Sequence, residues 1–343
     1  MEGDMMTGAI YVQTNEPENA VIAFRRAMDG SLERLGTYPT GGRGDGMPHL
    51  TSQGSVVLTG DGRHLLVSNA ASDDVSVFEV GTDGVPSLRQ TIATGPAPKS
   101  IAEHDGLVYV LSTDKPAVNG FRIGLDGPDA LMGSERPLSA GNADPAQIGF
   151  TRDGRTLIAT ERGTDSIVAY AVGADGLLGE PTVQASSGPT PYGFAISGNG
   201  TLVVTEAFRA EKGAAAASSY SVMGDSVTPI TSSVGNGRSE ICWAVVTPDD
   251  RSVFTTNFAD GAVSRYTIGV GGVLTLEDAT AGIAVDGQPG LRDEDLTPDG
   301  RFLYAIDADG GRIYGWAVGD GGSLEPVGSW EGVPATVAGL AAS

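Results

Sequence analysis

PAQIGFTRDGRTLIATERGTDSIVAY, Pro145 to Tyr170, is the stretch that decides the fold. It holds an apolar run with Ile148 and Phe150, an Asp153-Gly154 turn, and a second apolar run with Leu157 and Ile158. A polar stop at Glu161-Arg162 follows, then Ile167, Val168 and Tyr170. Two β-prone runs either side of an Asp-Gly pair predict a hairpin, because that dipeptide accepts the backbone angles of a tight two-strand turn. The same kind of turn recurs at Asp61-Gly62, Asp105-Gly106, Asn199-Gly200, Asp249-Asp250 and Asp299-Gly300, at intervals of 44 to 50 residues. A period of that length with four short strands per unit is the sequence pattern of a β-propeller blade.

Seven units can be counted. Units two to seven open near Thr51, Lys99, Pro145, Thr190, Ser239 and Gln288. The first unit supplies three strands only, in GAIYVQTN, AVIAFRR and LERLGTYPT, with no apolar strand ahead of Ile10. The chain ends in ATVAGLAAS, a strand without a blade of its own. Pairing Ala335–Ser343 with the N-terminal unit removes the last open sheet edge, so the expectation is an all-β, seven-bladed propeller of four-stranded blades closed by its C-terminal strand. No linker or shift of composition divides residues 1–343, and a single domain is expected. The glycine content serves turns: within the units, third and fourth strands are separated by pairs such as Asp83-Gly84 and Asp175-Gly176.

A formal charge of −22 and a pI near 4.3 argue against nucleic acid and anionic membranes as partners. Cys242 is the only cysteine, which excludes an intramolecular disulfide. The start MEGDMMTGAI lacks the apolar core of a signal peptide, and no run has the length of a membrane helix, so a soluble, cytoplasmic protein is expected.

Aligning the units on the third-strand aromatic (Phe24, Phe78, Phe121, Tyr170, Tyr220, Tyr266, Trp316) places Asn15, Asn69, Ser112, Glu161, Asn257 and Asp307 at the ends of second strands. In unit five a longer loop, AFRAEKGAAAASSY, follows Glu206 instead. Asn, Ser and Asp at such positions cap turns through their own side chains. Glu161 and Glu206 suit that role less and sit in adjacent units, which makes them candidates for chemistry. The same face of the propeller receives Lys99, Gln147, Tyr192, Glu240, Trp243, Arg292 and Asp293 from the starts of first strands, and His49 from the link between the first two units. His49 could act as a general acid or base, since imidazole titrates near neutrality, and equally it reads as an ordinary loop residue.

Several familiar motifs are absent. DADGGR at 307–312 lacks the terminal ligand of a calcium loop, since Val318 stands there. No zinc spacing and no G-x-S-x-G occur, and GGRGDG at 41–46 follows no strand-to-helix pattern. Cys242 has no neighbouring histidine and reads as a small buried side chain. A calcium ion held by Glu161, Glu206 and Asn257 is the one metal arrangement the spacing leaves open, and the reading taken is a site with no metal and no cofactor.

Several segments together resemble the β-propeller lactonase family, which includes propeller-type 6-phosphogluconolactonases and carboxymuconate cyclases. They are 52–78, PAQIGFTRDGRTLIATERGTDSI (145–167), PYGFAIS (191–197), ICWAVVTPDDRSVFTTN (241–257) and TPDGRFLYAID (297–307). The resemblance implies a seven-bladed propeller that hydrolyses or forms a small lactone at the mouth of its channel, with a small lactone or organic acid as partner. Cyclase-type members use His, Arg and Glu there. Glu161-Arg162 fits such a Glu/Arg pair by position, and Arg292 or Arg209 could supply further cation. The expected catalytic residues are therefore Glu161, Arg162, His49 and Glu206. Arg292, Asp293, Tyr192, Trp243, Gln147, Asn257 and Arg209 are expected to hold substrate. A binding propeller without chemistry and a calcium-dependent lactonase remain the alternatives.

Overall fold

The structure is a computed structural model and describes residues 8–48, 50, 53–124 and 127–343. Seven antiparallel sheets stand in a ring, and each contributes one innermost strand to a central bore. In chain order these strands are Val56–Leu58, Pro98–His104, Pro145–Phe150, Pro191–Ile196, Ile241–Val246, Leu291–Leu296 and Ala338–Ala342. Each packs against the next, and Ala338–Ala342 touches both Leu291–Leu296 and Val56–Leu58, which completes the circle. Blades are numbered here from the N-terminal one. The outer edge of blade 3 departs from the plain four-strand pattern: it is split into Gly127–Ala130 and Arg136–Pro137. The long loop of blade 5 folds into a short turn at Phe208–Ala210.

The repeated turn has a simple chemistry. Thr151 Oγ1 donates to Asp153 Oδ1 at 2.7 Å, and the Arg155 amide donates to the same oxygen at 3.2 Å. Thr59/Asp61, Ser197/Asn199, Thr247/Asp249 and Thr297/Asp299 repeat the first of these bonds. Gly154 at φ 66° supplies the left-handed residue the turn requires, and Asp250 at φ 61° substitutes for glycine in blade 6. Between blades, alternate residues of each strand pack into seams of aliphatic and aromatic carbon, and the third-strand aromatics Phe24, Phe78, Phe121, Tyr170, Tyr220, Tyr266 and Trp316 are all buried.

The ends of the chain meet as expected. Ile10, Tyr11 and Val12 pair with Ala342, Ala341 and Leu340, and after a bulge Gln13 pairs with Ala338. Beyond the ladder, the Ser343 amide donates to Ala9 O at 2.9 Å, and the Ala342 amide donates to the Asp295 carboxylate of blade 7 at 2.9 Å. Deleting Pro334–Ser343 strips the inner strand from blade 1 and leaves Asp295 without its partner. The expected outcome is a loss of several kcal/mol, on the order of 10 °C in the melting midpoint, with aggregation through the bared edge. A truncated chain that melts with the full one in calorimetry would overturn the closure.

Candidate active site

The mouth of the bore is shaped by a backbone device that recurs in blades 3 to 7. Just before the innermost strand stands a residue in the left-handed region: Ala97 (φ 52°), Asp144 (43°), Thr190 (59°), Glu240 (53°) and Gly290 (133°). Each turns its carbonyl toward the residue that follows the second strand. Thr113, Arg162, Ala207, Phe258 and Ala308 donate their amides to these carbonyls at 2.9–3.2 Å. Four of the five residues are not glycine, so the conformation is strained and is held by the fold around it. Two positions further on, the side chains Lys99, Ala146, Tyr192, Cys242 and Arg292 are delivered to the rim.

On the side of blades 4 to 7 these residues form a continuous wall. The Arg162 guanidinium lies 4.9 Å from the Tyr192 ring centre, and Tyr192 meets Trp243 edge-on at 5.4 Å. Arg162 also donates to Asp144 Oδ1 at 2.6 Å. Arg292 stands over Phe258 at 5.4 Å and has Asp309 as its nearest ionic neighbour, at 3.8 Å. Arg292 is only 1% exposed and Asp293 2%, yet no nitrogen of the one and no oxygen of the other is hydrogen-bonded. The Trp243 indole and the Gly339 amide face Asp293. Burial, only partly offset by these donors and by Arg292, pushes the Asp293 carboxyl up to about 7. Burial likewise raises the Cys242 thiol far above its usual range, so Cys242 is an inert packing residue whose Sγ donates to Glu240 O.

Unsatisfied polar atoms concentrate here. Of fourteen buried side-chain nitrogens and oxygens without a hydrogen bond among the described residues, eleven belong to Ser55, Trp243, Thr255, Thr256, Arg292, Asp293 and Glu294. Buried polar groups are normally paired, so the cluster sets this part of the molecule apart. Below the wall, a cavity of about 480 Å³ runs down the bore, lined by Gln53, Gln147, Asp293, Glu294 and Asp295 among others. Its roof is braced by Gln53 of blade 2, which crosses to blade 6: its amide donates to Ala244 O at 2.9 Å and accepts from Ala244 N at 3.1 Å. A Cβ on Gly193 would lie 2.7 Å from the Gln53 side-chain oxygen and 2.4 Å from Cys242 O, so only glycine fits beside this brace.

The other sequence candidates are placed differently. Glu161 and Glu206 are fully buried, and their oxygens are taken up by hydrogen bonds to the interblade links and neighbouring segments. Glu161 accepts from the Ser139 amide (2.8 Å), the Ser139 hydroxyl and Thr164 Oγ1 (2.5 Å). Glu206 accepts from the Gly188 amide (2.8 Å), Ser218 Oγ (2.5 Å) and Ser233 Oγ (2.7 Å). Both therefore act as latches that tie the end of a second strand to neighbouring segments. Asn257 is committed to Ala262 O, Ser264 and Asn236, and Gln147 spends both ends of its amide on Phe194 of blade 5. Arg209 is exposed on the lip and paired with Asp165 at 2.5 Å. His49 lies outside the described residues. Among the described residues no three His, Cys, Asp or Glu side chains are grouped so as to hold a metal ion, and the side-chain oxygens of Glu161, Glu206 and Asn257 are already engaged in hydrogen bonds. The sequence reading missed Glu294 and Asp295. The signal for them was the segment LRDEDL, whose counterparts PAQIGF, PYGFAI and ICWAVV are nearly uncharged.

Comparison with known proteins agrees with this architecture. The family described as "Lactonase, 7-bladed beta-propeller" matches residues 7–126, 134–207 and 207–336. A 6-phosphogluconolactonase from Serratia proteamaculans is 23% identical over 273 residues, covering 76% of this chain and 80% of that protein. The periplasmic gluconolactonase of Pseudomonas aeruginosa superposes with a TM-score of 0.72 at 16% identity, over 98% of both chains. A protein of unknown function from Desulfotomaculum acetoxidans gives 0.76 at 14%, again over 98% of both. No helix among the described residues is long and apolar enough to cross a membrane.

Two outcomes follow from this geometry. Glu206→Ala leaves three buried donors unanswered and should lower stability by about 2–4 kcal/mol, measured in a denaturant melt; an unchanged midpoint would contradict the latch. The second outcome concerns pH. Asp293 and Asp295, raised from 3.8 to about 7, and Glu294, raised well above its usual range, bind protons more tightly folded than unfolded. Their contribution is complete below pH 4 and is lost as pH rises toward 7, at about 1.4 kcal/mol per pH unit for each group titrating. The turn carboxylates Asp61, Asp153 and Asp299 are lowered by their hydrogen bonds and act oppositely, losing stability as pH falls below 4. The melting midpoint should therefore peak between about pH 4 and 5, and Glu294→Gln should flatten its fall toward neutrality. A midpoint that climbs from pH 5 to 7 would contradict the assignment.

Proposed function

Since the chain belongs to the seven-bladed β-propeller lactonase family, we propose that it hydrolyses a small lactone bearing an anionic group, at the mouth bounded by Arg162, Tyr192, Trp243, Arg292 and Asp293. The observation that carries the reading is the Arg292–Asp293 pair: a cation and a carboxyl side by side on one strand, buried, and both without hydrogen bonds. Asp293 takes the general-base role that the sequence reading gave to Glu161 or His49.

In this reading water attacks the lactone carbonyl carbon while Asp293, as carboxylate, takes a proton from it. The guanidinium of Arg292 donates to the oxyanion that forms, from a site where water is excluded and a charge-assisted bond is strong. The ring C–O bond then breaks, and Asp293 returns its proton to the departing ring oxygen. The product is a hydroxy acid, which ionises at neutral pH and releases one proton. A group titrating near 7 is suited to both halves of this cycle. Tyr192 and Trp243 supply the apolar wall for the ring, and Arg162, with Lys99 from blade 3, supplies positive charge for the anionic substituent. The relatives named as 6-phosphogluconolactonases make a phosphorylated sugar lactone the first substrate to try.

The test is a panel of neutral, carboxylated and phosphorylated lactones, assayed with and without chelator. Turnover insensitive to chelator is expected, with preference for an anionic lactone. Asp293→Asn should cut kcat by roughly 100-fold or more, and Arg292→Ala should cut kcat/KM by a similar factor while the protein remains folded. Loss of turnover on chelation would instead support a metal-dependent lactonase. No turnover on any member would leave a binding propeller.

A further inference from the structure

The repeat provides its own control for the innermost strand of blade 7. Glu294 pairs with the residue two before the end of the second strand, and the residues with that same pairing in blades 2 to 6 are Val56, Ile101, Ile148, Phe194 and Ala244. The next position carries Val57, Ala102, Gly149, Ala195 and Val245 against Asp295. Five blades thus show that packing at these places needs only carbon. Blade 7 puts carboxyls at both, directly below Asp293. Burying a carboxyl without a partner, as at Glu294, costs several kcal/mol, and a chain that retains it beside a second carboxyl at Asp295 is using them.

Their surroundings indicate the use. The cavity of about 480 Å³ that begins at Gln53, Gln147 and Asp293 ends at Thr59, Gly60 and Pro298, which belong to the turns on the opposite face. A second space of about 460 Å³ shares Asp295, Leu296 and Pro298 and also reaches the turns. One wall is the acidic stripe; the facing wall is hydrocarbon from Val56, Leu58, Ile148 and Leu340. Glu294 is among the residues along this space, is 2% exposed, and has no hydrogen bond to either oxygen. The groups facing the stripe are few. Arg292 and the Trp243 indole stand at its upper end, the Thr256 backbone lies beside Glu294, and the Ala342 amide holds Asp295. The closing strand and blade 2 present no charge to it.

We propose that the bore is a rear entrance, through which water reaches the mouth and the product proton leaves by way of Asp293, Glu294 and Asp295 while substrate covers the front. The proposal rests on the hydrolytic reading above. Each turnover consumes one water and yields one proton, and an anionic lactone seated against Arg292 and the aromatic wall blocks the front path for both. Three carboxyls in consecutive positions, with burial holding them near or above neutrality, can accept and pass that proton through intervening water. Glu294 and Asp295 act through Asp293 and touch no substrate.

The experiment combines kinetics with infrared spectroscopy. Leu58→Trp narrows the lower bore from its hydrocarbon side, with Leu58→Met as control. Glu294→Gln removes the middle carboxyl, and Glu294→Ala repeats the residue that blade 6 carries at that place, so folding is preserved in at least one variant. Expected are a fall in kcat of about tenfold with KM unchanged in Leu58→Trp and both Glu294 variants, and a shifted pH–rate profile in the Glu294 variants. The carbonyl band of protonated Glu294, assigned by its absence in Glu294→Gln, should exchange with D₂O at once in the wild type and slowly in Leu58→Trp. Unaltered kcat and pH profile, or a band whose exchange is the same with the bore plugged, would overturn the rear entrance. The infrared arm needs no substrate: if the wild type hydrolyses no lactone but the band still responds to the plug, it is the lactonase reading that has failed and not the route.

Discussion

The structure depends on a single ladder of hydrogen bonds between the two ends of the chain. Six blades are each built from one continuous stretch, but the first takes its innermost strand from Ala338–Ala342. A ring of sheets without that strand has an open edge, and the bore it surrounds has a gap in its wall. Closure also fixes the site. Asp295 holds the Ala342 amide, the Gly339 amide faces Asp293, and Gly339 itself lies where a Cβ would strike Ser55 Oγ and the Val56 amide. The acidic strand of blade 7 is thus positioned from both sides, by blade 6 and by the chain terminus.

This dependence explains which parts of the molecule could be read from the sequence. Blade grammar is local: a threonine, an aspartate and a glycine within four residues build the turn, and the strands beside it alternate within reach of the same window. The orphan terminal strand was legible because a missing partner leaves a count that does not close. The roles of Glu161 and Glu206 were not legible. Position put them on the mouth face, but the groups that engage them, Ser139 and Ser233, arrive from segments 22 and 27 residues away, and no periodicity reports such contacts. A glutamate at a strand end looked too long to cap a turn; it reaches instead to a neighbouring loop. Asp293 was legible as a mouth residue, whereas its unpaired state was not, since pairing is decided by three other segments.

Electrostatics shows the same division between whole and part. The chain carries −22, and its long-range field opposes an incoming anion, most strongly at low salt. The repeat places cations on this rim as well: Lys99 and Arg292 stand at equivalent positions of their blades, and Arg162 lies against Tyr192. Capture of an anionic ligand there must rest on short-range contacts. Arginine suits this, because its planar fork makes paired bonds and is weakly hydrated enough to stay buried. Burial works against the Arg292 charge, and Asp293 and Asp309 support it. A ligand carboxylate or phosphate would do so more directly.

The frame of this mouth is braced from blade to blade. Gln53 bolts blade 2 to blade 6, Gln147 bolts blade 4 to blade 5, and Thr205 Oγ1 spans from blade 5 to Cys242 O at 2.6 Å. The left-handed residues Asp144, Thr190 and Glu240 hold a strained conformation that only a rigid frame maintains. Whatever discrimination the site has must therefore be present before binding, in the spacing of the cations around the rim and the width between Tyr192 and Trp243. Rigidity of that kind also favours catalysis of acyl transfer, because donors already aimed at the developing oxyanion need no reorganisation in the transition state. The same braces that order the site also frame the bore beneath Asp293, so the rear entrance proposed above would rest on the frame that positions the acidic strand.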